Sequence, residues 1–154
     1  MGFVMLKRFF VTGTDTSVGK TVASRALLQA LAASGKTVAG YKPVAKGSKE
    51  TPEGLRNKDA LVLQSVSSLE LPYQGGKPYR VKRRREQRCA QLPNQLHPVI
   101  QRHRAGLCDR VDHVVVEGTG GWRSLMNDLR PLSEWVVQEQ MAVVMVVGIR
   151  GGVP

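Results

Sequence analysis

Short apolar, β-branched runs alternate along this chain with stretches in which apolar residues recur at helical spacing. Lys7-Arg8-Phe9-Phe10-Val11 reads as a first strand, short and aromatic, stopped by Gly13. Gly13 to Gly19 is a loop. Val22, Ala23, Ala26, Leu27, Ala30 and Leu31 then repeat with the helical period, Arg25 and Gln29 take the other face, and Gly35 ends the helix. Thr37 to Val44 predicts a second strand closed by Pro43 and Gly47, and Lys58 to Val66 a second helix. His113-Val114-Val115-Val116 is a fully apolar strand ending in Glu117, with Gly118-Thr119-Gly120-Gly121 after it. Ser133 to Gln140 predicts a short helix capped by Ser133, and Ala142 to Gly148 a further apolar strand. Strands apolar on both sides, separated by helices, predict an α/β fold: a parallel sheet with helices on both faces.

Length and composition fit that picture. The chain has 154 residues, one domain's worth, and its 42% hydrophobic content suffices for a packed core. The longest apolar run, Met141 to Ile149, is too short to span a bilayer, and Met1 to Leu6 lacks the basic start and small-residue cleavage site of a secretion signal. A cytoplasmic protein is expected. The net charge of +11 suggests a nucleic-acid binder until its distribution is inspected. Residues 74–110 hold ten Lys/Arg against two Asp/Glu, and everything else holds thirteen against ten. That stretch also carries both cysteines, Cys89 and Cys108, and two of the three histidines, His97 and His103.

The chemistry concentrates at Gly13-Thr14-Asp15-Thr16-Ser17-Val18-Gly19-Lys20-Thr21, between the first strand and the first helix. This is the context of a phosphate-binding P-loop: glycines let backbone N–H groups turn toward phosphate oxygens, and the helix N-terminus adds its dipole. The spacing has one residue more between the glycines than the commonest pattern. Lys20 suits the β- and γ-phosphates, and the Thr21 hydroxyl suits Mg²⁺. Glu117, at the C-terminal end of an apolar strand, stands where a second metal-binding acid belongs in an open α/β sheet. Lys42 lies at the end of the second strand, on the same expected edge. Asp59, by itself, reads only as an acid at a helix start.

Four segments resemble dethiobiotin synthetase, in that family's order: Phe10 to Thr21, Gly40-Tyr41-Lys42-Pro43-Val44, Thr51 to Ala60, and Val116-Glu117-Gly118-Thr119-Gly120-Gly121-Trp122. The likeness runs over residues 5–73 and 111–149 and is greatest to a second, paralogous form of the enzyme. It implies ATP- and Mg²⁺-dependent closure of a ureido ring from 7,8-diaminononanoate and CO₂ in biotin biosynthesis. By resemblance, Lys20 and Lys42 are catalytic. Thr16, Ser17, Val18, Gly19, Lys20, Thr21, Val22, Asp59, Glu117, Gly118, Thr119 and Gly120 surround the nucleotide, and Thr21, Asp59 and Glu117 place the metal. The implied partners are the diamine, CO₂ and ATP, with no membrane and no nucleic acid; the family forms homodimers with substrate contacts across subunits, and the late elements that make them have no counterpart here. Ser17 stands where many members carry an acid, and Lys46 where many carry a substrate-contacting serine. A Gly-Cys-Ile-Asn-type segment, expected after Gly148, is replaced by Arg150-Gly151-Gly152-Val153-Pro154.

Residues 74–110 are foreign to the resemblance. A permitted codon string for Lys82-Arg83-Arg84-Arg85-Glu86-Gln87-Arg88, AAG CGA AGA AGA GAG CAG CGT, reads Ser-Glu-Glu-Glu-Ser-Ser when shifted by one base. Two compensating frame slips would produce such a segment, and a third such a tail; the alternative is a basic insertion that belongs to the protein. The expectation is one P-loop α/β domain over residues 1–154, incomplete at its C-terminal side, with 74–110 not native to the fold and the chain inactive as a ligase. Zinc is not expected from Cys89, His97, His103 and Cys108, which lack paired ligand spacing. The competing classes are a partitioning-type P-loop ATPase, disfavoured because Thr14, Asp15 and Thr16 replace its early signature lysine, and a nucleic-acid module on residues 77–110, disfavoured because only Tyr79 interleaves the charges.

Overall fold

The computed structural model describes residues 7–15, 18–46, 49–52, 54–56, 58–68, 79–81, 110–124 and 131–149. Strand β1 (Arg8–Gly13) leads through the glycine-rich loop into helix α1 (Lys20–Ala33), followed by β2 (Val38–Tyr41). Three short strands follow, β3 (Val44–Lys46), β4 (Lys49–Thr51) and β5 (Gly54–Arg56), then helix α2 (Lys58–Ser65) and β6 (Tyr79–Val81). The final elements are β7 (His113–Glu117), helix α3 (Leu132–Gln138) and β8 (Ala142–Val146).

The main sheet has the order β2-β7-β1-β8, with every pairing parallel. β1 and β7 are central, which explains their uninterrupted apolar and β-branched character: a central strand with helices on both faces has no solvated side. All five residues of β7 are buried. The pleat sends alternate side chains into two cores. Phe10, Val114, Val116 and Tyr41 pack beneath α3 with Leu132, Trp135 and Val136. Val11, Val115 and Val38 pack against Leu28 of α1 and Leu63 of α2. Each fully buried aliphatic side chain of this kind contributes about 1.5–3 kcal/mol of transfer free energy.

Helix α1 is turned relative to its apolar periodicity. Its buried residues are Lys20, Ser24 and Leu28, with Ala23, Leu27 and Leu31 beside them, while Val22 is 74% exposed and Ala26 and Ala30 face solvent. The loop dictates this orientation: Lys20 must face the sheet edge, and Ser24 and Leu28 follow it one and two turns on. Ser133 is not the cap of α3. The helix begins at Leu132 after an extended Pro131, and the Ser133 hydroxyl is buried with no hydrogen-bond partner among the described residues. Gln140, expected inside that helix, lies beyond its end at φ 52°.

The second strand stops at Tyr41, and the chain then forms β3, which pairs in parallel with β6 outside the main sheet. β4 and β5 form a small antiparallel pair. None of these was expected. β6 is the only described part of residues 74–109; Cys89, His97, His103 and Cys108 lie outside the described residues, as do Arg150 to Pro154. No helix among the described residues is long and apolar enough to cross a membrane.

Candidate functional site

The site lies at the C-terminal edge of the sheet, where β1, β2 and β7 deliver the P-loop, Lys42 and Glu117 side by side. In a parallel sheet this edge gathers the strand-to-helix connections, so residues distant in sequence converge there.

The loop is anchored at its start. The Thr14 N–H donates to the Val146 carbonyl at 3.0 Å, and the Gly148 N–H donates to Thr14 Oγ1 at 3.1 Å. Gly13 has no room for a side chain: a Cβ there would lie 2.5 Å from Val18 Cγ2 and 3.1 Å from the Val146 carbonyl. At the loop's end Gly19 adopts φ 101° and caps α1, a left-handed conformation that other residues enter only with strain. The first helical hydrogen bond runs from the Ala23 N–H to the Gly19 carbonyl at 2.9 Å, which leaves the N–H groups of the first turn for an anion. Thr16 and Ser17 lie outside the described residues. Val18 packs against Gly13 and Gly148, and Val22 sits exposed on the first turn of α1.

Lys20 is buried and curls back over the loop, its Nζ donating to the Asp15 carbonyl at 2.7 Å. Burial lowers its pKa from the ordinary lysine value, and the Lys42 charge lowers it further; Glu117, Asp15 and Asp59 act in the opposite direction. Lys20 and Lys42 thus repel one another across this edge, a repulsion that a bound anion would relieve.

Glu117 is the hub. It is 1% exposed, and its Oε1 accepts hydrogen bonds from Thr21 Oγ1 and from Lys42 Nζ, each at 2.9 Å. Its Oε2 is buried with no hydrogen-bond partner among the described residues. Lys42, 4% exposed, also donates to the Gly118 carbonyl at 3.2 Å and lies 3.9 Å from Asp59 Oδ2 on the first turn of α2. Thr21, Glu117, Lys42 and Asp59 thus form one connected group beside Lys20.

A buried carboxylate oxygen without a donor among the described residues can accept from a bound ion or ligand. With the Thr21 hydroxyl and the Asp59 carboxylate nearby, the donor set is oxygen-only and suits Mg²⁺ completed by water and phosphate oxygens. Among the described residues no cluster of three or more His, Cys, Asp or Glu side chains occurs.

Gly118 and Thr119 are buried behind Glu117, and Gly120 adopts φ 64°. A Cβ on Gly118 would lie 2.8 Å from Phe10, so only glycine lets this turn close over β1. Gly121 lies against the carbonyls of Gly13 and Thr14, bringing the loop after β7 onto the P-loop. Sequence reasoning missed the Gly118 carbonyl as a Lys42 partner and the Thr14–Gly148 tie, since a backbone acceptor leaves no trace in residue type. It also missed that Lys42 and Glu117, 75 positions apart, pair directly.

A family model described as an AAA domain matches residues 7–154. The chain is 71% identical over 148 residues to ATP-dependent dethiobiotin synthetase BioD 2 of Escherichia coli K12, covering 96% of this chain and 64% of that protein. BioD 2 of Yersinia pestis is 54% identical over 148 residues, with 96% and 66% covered. BioD 1 of E. coli K12 is 50% identical over 153 residues, with 96% and 67% covered. The chain is thus more similar to the second form than to the first, and spans about two thirds of the length of these relatives.

Proposed function

Because the chain belongs to the dethiobiotin synthetase family, we propose that its P-loop edge is the phosphoryl-transfer site of an ATP-dependent ligase that closes a ureido ring in biotin synthesis. The observation that carries this reading is the convergence on Glu117: a P-loop hydroxyl and the strand-end lysine share one buried carboxylate oxygen.

The reaction would run in three steps. One amine of 7,8-diaminononanoate adds to CO₂ and loses a proton, giving a carbamate. A carbamate oxygen then attacks the γ-phosphorus of ATP, forming a carbamic–phosphoric anhydride and releasing ADP. Finally the second amine attacks the carbamoyl carbon, the C–O bond to phosphate breaks, and the ring closes with loss of a proton.

The chain's groups suit the middle step. Lys20 and the α1 N-terminus bind the transferring phosphates, and Lys42 faces the carbamate. Thr21, Glu117 and Asp59 would hold Mg²⁺, which when bound neutralises charge on the phosphate oxygens. Phosphoryl transfer asks the protein chiefly for positioning and charge neutralisation, and a buried pair of lysines beside a carboxylate supplies both. The working compartment proposed is the cytoplasm.

The test is ATP-dependent dethiobiotin formation by a chimera in which residues 1–73 and 111–149 are completed by the corresponding middle segment and the remaining third of E. coli BioD 2. Lys20→Ala should lower kcat/KM by about a hundredfold or more, the loss of one preorganised charge of on the order of 3 kcal/mol. A Lys20→Ala chimera that turns over at the parental rate would remove the P-loop from the mechanism.

A further inference from the structure

The mechanism above uses Lys42 and the metal as separate cations, yet both address one carboxylate. Lys42 Nζ already sits 2.9 Å from Glu117 Oε1, in an almost solvent-free place. Among the described residues it also touches the neutral Gly118 carbonyl and lies near the more distant, partly exposed Asp59, with the like charge of Lys20 in the same group. We propose that Lys42 and a divalent cation compete for the charge of Glu117: Lys42 holds Oε1 while Oε2 has no partner among the described residues, and a cation bound to that carboxylate would loosen Lys42 toward the carbamate. This rests on the placement of Mg²⁺ at Glu117 proposed above.

Charge compensation sets the competition. Two buried charges in contact are tolerable together and costly apart. Without metal, Glu117 and Lys42 satisfy one another. A divalent ion held by the same carboxylate would draw its charge away from the ammonium and repel it at short range. Lys42 then remains buried, close to the Gly118 carbonyl but lacking its full counter-charge. The anion that restores balance is the carbamate that Lys42 faces in the reaction proposed above. Metal would therefore bind weakly until an acidic substrate arrives to take Lys42, and each ligand would tighten the other by the same factor.

The experiment measures Mn²⁺ binding to the full chain, with Mn²⁺ alone as probe, from the free-ion electron paramagnetic resonance signal. Lys42→Met should bind Mn²⁺ about tenfold more tightly than the unmodified chain, because a contact competitor is removed. Lys58→Met, which deletes an equal but exposed charge next to Asp59, should change the affinity less than about twofold. Lys42→Met combined with Glu117→Gln should lose the gain. In the unmodified chain, saturating Mn²⁺ should raise acetylation of Lys42 by acetic anhydride severalfold. Should Lys42→Met destabilise the fold, its melting temperature should rise further on adding Mn²⁺ than that of the unmodified chain. Equal or weaker Mn²⁺ affinity in Lys42→Met, or a variant that Mn²⁺ does not stabilise, overturns the competition while leaving the metal site standing. Absence of Mn²⁺ binding in every form, with and without ATP, overturns the metal site and the competition together.

Discussion

At the scale of single residues, sheet pairing decides which side chains meet: Tyr41 at the end of β2 aligns with Val116, one residue before Glu117, and so brings Lys42 to that carboxylate across 75 positions that no local pattern connects. Another such pairing sits at the opposite edge of the sheet. Asp112 Oδ2 accepts from the Thr37 N–H at 2.9 Å and from the Thr37 hydroxyl at 3.1 Å, while the Asp112 N–H donates to Thr37 Oγ1 at 2.9 Å. The two Thr37 bonds, the backbone one foremost, hold the Asp112 carboxyl below the usual carboxylate range. A carboxyl lowered in the folded state adds stability that is complete above its unfolded value, about 3.9, and is lost as pH falls through the folded value. Asp112→Asn should therefore lower the melting temperature at pH 7, and the difference should shrink at pH 3. A difference that is constant across that range would show that the charge of Asp112 plays no part.

At the scale of elements, periodicity placed β1, α1, α2, β7, α3 and β8 correctly and misjudged where helices turn and end. Apolar spacing in α1 could not anticipate that Lys20 fixes the helix's rotation, leaving Val22 outward and burying Ser24. Its alanines are small enough to tolerate either side, so the sequence carries little information there. The short strands β3 to β6 have no clean alternation and depend on tertiary pairing. β2 shows how tightly the elements are fitted. Gly40 is in extended backbone, and an added Cβ would lie 2.8 Å from Leu63 Cβ on α2 and 3.1 Å from Leu28 Cδ1 on α1. Both helices rest directly on this one glycine. Gly40→Ala should cost about 1–3 kcal/mol through overpacking, measured as a lower denaturation midpoint in urea with an unchanged slope. A neutral Gly40→Ala would mean that α2 shifts freely on the sheet and that the hydrophobic contact beneath it is loose.

At the scale of the whole molecule, the two edges of the sheet are unlike. β2 is blunted by the residues after α2: the Ser68 hydroxyl accepts from the Val38 N–H at 3.0 Å, the Ser67 hydroxyl accepts from the Gly40 N–H at 2.9 Å, and the Ser68 N–H returns to the Val38 carbonyl at 2.8 Å. Those side chains take up the hydrogen-bonding groups that an edge strand exposes. β8 pairs with β1 alone, and among the described residues nothing comparable covers its outer side. Its alternate residues Val143 and Met145, and Val147 and Ile149 beyond them, are 44% to 91% exposed. An unpaired, apolar, parallel edge is a template for pairing with another chain. We therefore predict that residues 1–154 by themselves self-associate through β8, and that Val143→Lys with Met145→Lys shifts the population toward monomer in sedimentation velocity, since charges on an edge oppose stacking. The same polypeptide should form no dethiobiotin from ATP, CO₂ and the diamine. A P-loop contacts phosphate rather than base, and these residues span 64% of the length of E. coli BioD 2. Monodisperse protein of this length, unaltered at Val143 and Met145, would remove the edge argument; turnover above background in that preparation would show that the spanned two thirds are sufficient for the reaction.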